Sequence, residues 1–407
     1  MKASKESHNR RLLPEQNAYK ILLILIMLVG VAFLAMMIMV DALPRNMVMG
    51  FLVTLVALIV VSDILLIKST KWTKRIGIGI AVLFILIYGL GTYYLTNTFT
   101  MFARITANDT EAKELAQDVD VTNDTFNVYI TGIDQWNVEK GMDLERSDVN
   151  MIATVSPQTR KVLLTSIPRD TYVPLHRNGA MDKLTHTGIY GVDETLNTIK
   201  DWTGLEMNYY VKVNFNACVD VVDAIGGIDI YNPKRFRGSL NNHLYKKGNI
   251  HLMGRGALYY ARERKAYGSE DQLRVRNQLK VVKAILKKMM SSKTLLTKYG
   301  AIIDAMSGEM ETNMSEADMQ KLVKMQLTDL RSWDIKTQRM KGKYDMAVVA
   351  SLDASNEYQI LRVYRMSRRR CINKIIKTMN PTAAQIAEAT AARQRTTIIS
   401  FIKGLTS

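Results

Sequence analysis

Residues 126–170 read FNVYITGIDQWNVEKGMDLERSDVNMIATVSPQTRKVLLTSIPRD, and this stretch decides the fold. It holds three short apolar runs, 126–133, 149–155 and 162–167, each rich in β-branched residues as buried strands are. The connection from Ser156 to Lys161 contains Pro157 and is short enough to join antiparallel neighbours, and the loop from Asp134 to Ser147 can do the same for the first pair. Antiparallel order fixes which ends meet. Asp134 closes the first strand, Asp148 opens the second, and Arg169 with Asp170 follows the third, so all four are expected along one edge of a sheet.

Downstream, further strand-like runs fall at 209–215 and 228–231. Helical patterns occupy 192–202, 216–225, 256–261, 272–290, 295–306 and 315–327. Strands early and helices late, with crossovers between, predict an α/β domain whose mixed central sheet is covered on both faces, an α/β/α arrangement. No internal repeat or low-complexity block interrupts it.

Upstream lies different material. Residues 21–40, 47–67 and 76–95 are each close to the roughly 20 residues that cross a hydrocarbon core, and the only charge among them is Asp63, near one end. As core helices they would be apolar all round with almost nothing to cover them, so three N-terminal transmembrane helices are expected. A cleaved signal peptide would have an apolar region about half this length and a small-residue cleavage site. Lys2, Lys5, Arg10, Arg11 and Lys20 precede the first run, and Lys68, Lys71, Lys74 and Arg75 lie between the second and third. Positive loops stay cytoplasmic, so three crossings place everything after Thr96 outside the membrane. The expected division is a cytoplasmic segment 1–20, a transmembrane region 21–95, a polar linker 96–125, an α/β domain 126–335 and a C-terminal region 336–407.

The chain has 407 residues, 47% hydrophobic, with a formal charge of +17. In a soluble protein such charge would suggest nucleic acid. Here the topology argues against it, and the basic outer segments, 255–288 and 362–370, point instead to an anionic partner such as lipid headgroups or a phosphorylated glycan. Two cysteines are too few for a disulfide scaffold, and Cys218, in an apolar stretch, reads as a small buried residue. There is no Walker loop, no nucleophile elbow and no Cys or His metal cluster. Gly226-Gly227 reads as a tight turn, and His186 as a loop histidine that could be either catalytic or surface.

Two sets of residues could carry chemistry. Asp134 and Asp148 at one edge suit Mg²⁺, which usually takes one or two carboxylates and completes its shell with water and phosphate oxygens; each alone is more often a turn residue than a ligand. The basic set begins with Arg262 and Arg264, which share a side only where the chain is extended. Ser269 with Gln272 then forms a capping-box pattern opening a helix. On that helix Asp271, Arg274 and Gln278 share one face, and Arg276 points about 160° from Arg274 toward solvent. The planar guanidinium fork suits a pyrophosphate, although the same pattern serves surface ion pairs.

Taken in order, Glu145-Arg-Ser-Asp148, Ser166-Ile-Pro-Arg-Asp170, Lys183-Leu-Thr-His186, Gly226-Gly-Ile228, Leu252-Met-Gly-Arg-Gly-Ala-Leu-Tyr-Tyr-Ala-Arg-Glu-Arg264 and the Asp271–Gln278 stretch resemble the LytR-CpsA-Psr family across about 127–330. The three preceding spans resemble its capsule and exopolysaccharide members. The resemblance implies an extracytoplasmic domain of Gram-positive envelopes that takes a polysaccharide from a polyprenyl-pyrophosphate carrier and joins it to cell-wall peptidoglycan. By motif it implies Asp134 and Asp148 as ligands of Mg²⁺; Arg169, Arg262, Arg264, Arg274 and Gln278 as pyrophosphate contacts; and Asp148, Arg169 and Arg262 as catalytic. The lipid tail would enter an apolar pocket of the domain core. Partners implied are the lipid-linked polysaccharide, peptidoglycan, the membrane and other membrane proteins of polysaccharide synthesis. Leu273 and Asn277 stand where the family often has Gly and Arg, and the resemblance ends near Ile360. Two other classes stay open: a membrane-bound transcriptional attenuator, for which the N-terminal segment is too short to hold a helix-turn-helix, and a polyprenyl-pyrophosphate hydrolase or scaffold.

Overall fold

The computed structural model describes residues 21–39, 44–67, 71–105, 119–133, 147–266, 270–306 and 310–392. The chain divides into two compact units, Met1–Met101 and Phe102–Ser407. The first contains α1 (Ile21–Met39), α2 (Arg45–Ile67) and α3 (Lys71–Ile105), three helices long and apolar enough to cross a membrane. Phe33, Leu55, Phe84 and Tyr88 pack between them, while Leu28, Ile38 and Leu86 stay exposed on the outer surface, as lipid-facing side chains do. Small residues bring the helices close: a Cβ on Gly30 would lie 2.5 Å from Leu55, and one on Gly91 the same distance from Phe33. α3 runs ten residues beyond the expected end of the third span. Nothing in 96–105 breaks a helix, and the Thr96 hydroxyl satisfies the Thr92 carbonyl at 2.9 Å.

In the second unit β1 (Phe126–Ile133), β2 (Ser147–Ser156) and β3 (Lys161–Ser166) form the antiparallel trio that the sequence predicts. β4 (Tyr172–Pro174) and β5 (Met181–Lys183) make a small ribbon, followed by α4 (Val192–Thr203), β6 (Tyr209–Asn214) and α5 (Phe215–Ala224). Then come β7 (Ile228–Asn232), β8 (Phe236–Arg237), β9 (Leu244–Tyr245), β10 (Gly248–Leu252), α6 (Gly254–Arg262), α7 (Glu270–Met289) and α8 (Ser292–Met306). The chain ends through β11 (Met310–Thr312), α9 (Glu316–Asp329), β12 (Asp334–Arg339), β13 (Gly342–Ala347), β14 (Tyr358–Val363) and α10 (Arg365–Met379), with residues 383–392 helical.

The central sheet has the order β11-β6-β1-β2-β3-β12. β1, β3, β6 and β12 run in one direction, and β2 and β11 run against them. Alternate residues serve opposite faces. Tyr129, Ile152 and Leu163 pack under α4 and α10 with Leu196, Ile199, Cys371 and Ile375. Val128, Met151, Ala153, Val162 and Leu164 pack under α7 and α9 with Val275, Leu279 and Trp333. Both faces are therefore covered, as the run composition predicts.

The C-terminal part is built into this core. β12 straddles the boundary expected at 335/336 and pairs with β3, and Cys371 and Ile375 of α10 close one face of the sheet. Its composition hid this: Asp334-Ile-Lys-Thr-Gln-Arg339 carries a single large apolar side chain, because an edge strand needs little more. Cys218 is partly buried, and burial pushes its thiol up to about 11, which suits a packing residue rather than a nucleophile.

Candidate active site

Strand direction builds the site. The carboxyl ends of β1, β3, β6 and β12 and the start of β2 share one edge, where ligands commonly bind in open α/β sheets. Asp148 is the second residue of β2. β3 ends at Ser166, and a turn closed by Thr171 N–H on the Pro168 carbonyl (3.1 Å) returns Arg169 over the edge. There Arg169 Nη1 pairs with Asp148 Oδ1. Arg169 Nε lies 3.6 Å from Asp170 Oδ2, and Lys183 Nζ lies 4.0 Å from Asp170 Oδ1. Acid and base alternate, and these four side chains keep only 14–26% of their surface, shielded yet within reach of a ligand.

Backbone bonds hold the cluster from behind. Thr185 N–H donates to the Arg169 carbonyl (2.9 Å) and Leu184 N–H to that of Thr171 (2.8 Å). His186 is neither surface nor part of the cluster: it is buried, with Nδ1 2.7 Å from both Asp182 Oδ1 and Ser351 Oγ. Burial would raise the Asp182 carboxyl, but hydrogen bonds with His186, Ser351 N–H and Lys183 N–H outweigh it and hold the group below its ordinary range.

Arg262 ends α6 with its guanidinium carbon 5.0 Å from the ring centre of Phe215, the residue that follows β6 at this edge. The same ring passes 3.8 Å from where a Cβ on Gly132 of β1 would stand, and Val149, next to Asp148, lies 3.1 Å from that point. Extended backbone at Glu263 turns its buried carboxylate toward Ser239 N–H (2.6 Å), Lys265 N–H (2.8 Å) and Ala266 N–H (3.0 Å). Burial alone would raise Glu263; these donors lower it overall. Alternation then leaves Arg262 and Arg264 on the opposite side, with Arg264 exposed.

Arg274 and Gln278, one turn apart on α7, are 3% and 8% exposed, whereas Arg276 faces solvent, as the helical period predicts. Arg339, at the end of β12, reaches the Gln272 carbonyl (3.5 Å) and Oε1 (3.4 Å), which ties the first turn of α7 to the same sheet edge. Burial and then the charge of Arg276 lower Arg339 from its ordinary value. Neither Arg339 nor a role for Lys183 was legible in the sequence. Asp134 and Ser269 lie outside the described residues, as does the side chain of Asp271. The one donor on view fits Mg²⁺: Asp148 offers a partly exposed carboxylate, paired here with Arg169, of the kind this ion takes. Among the described residues no three carboxylate, His or Cys side chains converge.

Residues 92–369, more than half of the chain, match the LytR_cpsA_psr family. The chain belongs to the LytR-CpsA-Psr family. Its match continues nine residues past the point where the sequence resemblance was expected to end, in keeping with a C-terminal region built into the core. Among curated relatives of this LytR-CpsA-Psr protein, the polyisoprenyl-teichoic acid–peptidoglycan teichoic acid transferase TagU of Bacillus mycoides (strain KBAB4) is 37% identical over 187 residues, 45% of this chain and 60% of that one. The TagU of Bacillus licheniformis is 32% identical over 255 residues, 62% of this chain and 81% of that one. The chain thus spans about three fifths of the length of the first of these relatives. Among solved structures, B. subtilis TagV aligns with a TM-score of 0.53 and 26% identity, over 64% of this chain and 99% of TagV. TagT bound to LI-WTA aligns at 0.51 and 25%, over 65% and 94%.

Proposed function

We propose that this LytR-CpsA-Psr protein transfers a glycopolymer from a polyprenyl-pyrophosphate carrier to peptidoglycan on the outer side of the membrane. The observation that carries the reading is the convergence of Asp148, Arg169, Asp170 and Lys183 on one sheet edge, with Arg262 over Phe215 beside them and Arg274 on the helix that Arg339 ties there. Relatives named as teichoic acid transferases support it.

Transfer from a pyrophosphate requires negative charge to be neutralised as the bridging oxygen leaves, and preorganised cations do this without a covalent enzyme intermediate. Arg169, Arg262, Arg264, Arg274 and Gln278 hold the pyrophosphate oxygens, each guanidinium donating through a fork that fits two of them. Lys183 adds a compact charge. Asp148 and Asp170 orient Arg169 before substrate arrives, so little reorganisation remains to be done. Mg²⁺ held by Asp148 with Asp134 would, when bound, add neutralising charge at the departing phosphate. In this reading the polysaccharide, peptidoglycan and membrane are the partners, with other membrane proteins of polysaccharide synthesis alongside.

The test uses full-length protein in detergent with a polyprenyl-pyrophosphate oligosaccharide, Mg²⁺ and peptidoglycan fragments. The expected products are a covalent glycan–peptidoglycan conjugate and free polyprenyl phosphate. Polyprenyl phosphate released at the same rate without acceptor, and with no conjugate formed, would replace transferase by hydrolase.

A further inference from the structure

A second basic feature lies beside the sheet edge that carries Asp148 and Arg169. Between the end of β12 and the first turns of α10 lies an open groove of about 600 Å³, within the range of about 300–1,000 Å³ typical of ligand pockets. Arg339, Lys341, Arg370 and Lys374 line it, and among the described residues no carboxylate does. Arg370 and Lys374 stand one helical turn apart on α10, where like charges repel. Tyr364 and Met366, 53% and 66% exposed, add apolar surface at its side. A surface that gathers four cations beside an exposed aromatic ring fits a sugar chain that carries negative charge: the ring takes a sugar face and the cations its anionic groups.

The walls are fixed. Gln338 Nε2 donates to Thr165 Oγ1 (2.8 Å) and to the Cys371 carbonyl (3.0 Å), Lys341 N–H donates to Ser367 Oγ (2.8 Å), and Tyr364 N–H to the Lys341 carbonyl (2.9 Å). The groove also adjoins the site. Arg339 pairs in register with Ser166, three residues before Arg169, and Asp170 is tied to β14 by the Leu361 N–H (2.7 Å).

We propose that this groove is a second anion site, which holds an anionic repeat unit of the glycopolymer while the carrier pyrophosphate lies at the Asp148–Arg169 edge. The inference rests on the transfer reading for the identity of the polymer, and what it adds is the place on the fold where an anionic repeat unit is held. A membrane surface is the competing occupant. The groove favours the polymer because its cations stand beside an exposed aromatic ring that a sugar face can cover, next to the strand end that carries Arg339.

Binding by full-length protein in detergent tests it, with matched glycerol-phosphate, galacturonate and neutral malto-oligomers as probes. One or both anionic oligomers should bind and the neutral one should not. The exposed triple change Lys341→Gln, Arg370→Gln, Lys374→Gln should weaken anionic binding at least about tenfold at about 50 mM salt and flatten its salt dependence. Arg369→Gln, on the same helix but outside the groove, should change it less than about twofold. Inorganic pyrophosphate binding should survive the triple change and fall in Arg169→Ala, which should still bind the oligomer. This separates the groove from the transfer site, whose own failure would show as absent conjugate with oligomer binding intact. Equal binding of the neutral oligomer, no binding of either anionic one, or an equal loss in Arg369→Gln would overturn the proposal. So would a triple variant that loses affinity for phosphatidylglycerol vesicles while keeping both oligomers.

Discussion

Arg274 and Arg276 are two residues apart on one helix and meet opposite environments, 3% exposed against open solvent. A buried guanidinium near an anion site gives fixed, charge-assisted bonds worth about 1.5–3 kcal/mol. Arg274→Ala should therefore weaken binding of a polyprenyl pyrophosphate by roughly one to two orders of magnitude. Arg274→Lys should restore only part, since the ammonium keeps the charge and loses the fork. Arg276→Ala should cost little beyond a screened electrostatic loss. Titration of the lipid against parent and variants decides it: equal losses at the two positions would mean diffuse charge rather than a shaped site. The distinction between these two arginines was legible because the helical period alone separates them. The role of Lys183 was not, because its approach to Asp170 depends on the β4–β5 ribbon folding back, which no local pattern announces.

At the scale of elements, the end of the sheet away from the site is clamped by Arg160. It sits in the β2–β3 turn with φ of +53°, and its guanidinium meets Asp329 Oδ2 at 2.8 Å and stands 4.9 Å from the Trp333 ring centre. Its carbonyl accepts from Asp334 N–H (2.8 Å), which starts β12 in register with β3. One residue thus locks the hairpin, α9 and the edge strand together. Asp329 keeps Arg331 as a partner at 2.6 Å when Arg160 is removed, so Arg160→Ala loses charge-assisted bonds without stranding the carboxylate and should lower unfolding stability by about 1.5–3 kcal/mol in denaturant titration. Arg160→Met, apolar and of similar length, should cost less. Burial would raise the Asp329 carboxyl, but Arg331 and Arg160 hold it below its ordinary range, as donors do for Asp182 and Glu263. Folded values below unfolded ones contribute stability above about pH 4, lost as pH falls through the folded values. The melting temperature should accordingly drop between about pH 5 and pH 2–3, less steeply in Asp329→Asn; a flat profile over that range would count against these carboxylates. The strands of the trio and the covering helices α4, α7 and α9 were readable from apolar period; α10 was not, because its basic run Arg368-Arg-Arg370 masks the two buried side chains, Cys371 and Ile375, that close the sheet face. β12 was not, because its stability comes from this clamp and from pairing with β3 rather than from its own apolar residues.

For the molecule as a whole, function depends on which side of the membrane the α/β unit occupies, and charge asymmetry decides that. Three helices can cross, and an odd number of crossings puts the two ends of the membrane unit on opposite sides. Lys and Arg crowd the segment before α1 and the connection between α2 and α3, whereas residues 41–46 carry one acid and one base. Each basic residue resists translocation, so the prediction is that both crowded segments stay inside and the chain after α3 emerges outside. Since α3 is helical through Ile105, a reporter should be joined after that residue to leave the helix whole. Alkaline phosphatase fused there should be active and green fluorescent protein dark. A tag ahead of Ile21 should resist external protease in intact cells. Reversing the charge, with Lys68, Lys71, Lys74 and Arg75 all changed to Glu, should lower phosphatase activity by weakening the inside anchor of α3. A fluorescent cytoplasmic fusion in the parent would place the Asp148–Arg169 edge where no peptidoglycan exists, and the transfer reading would fall with the topology.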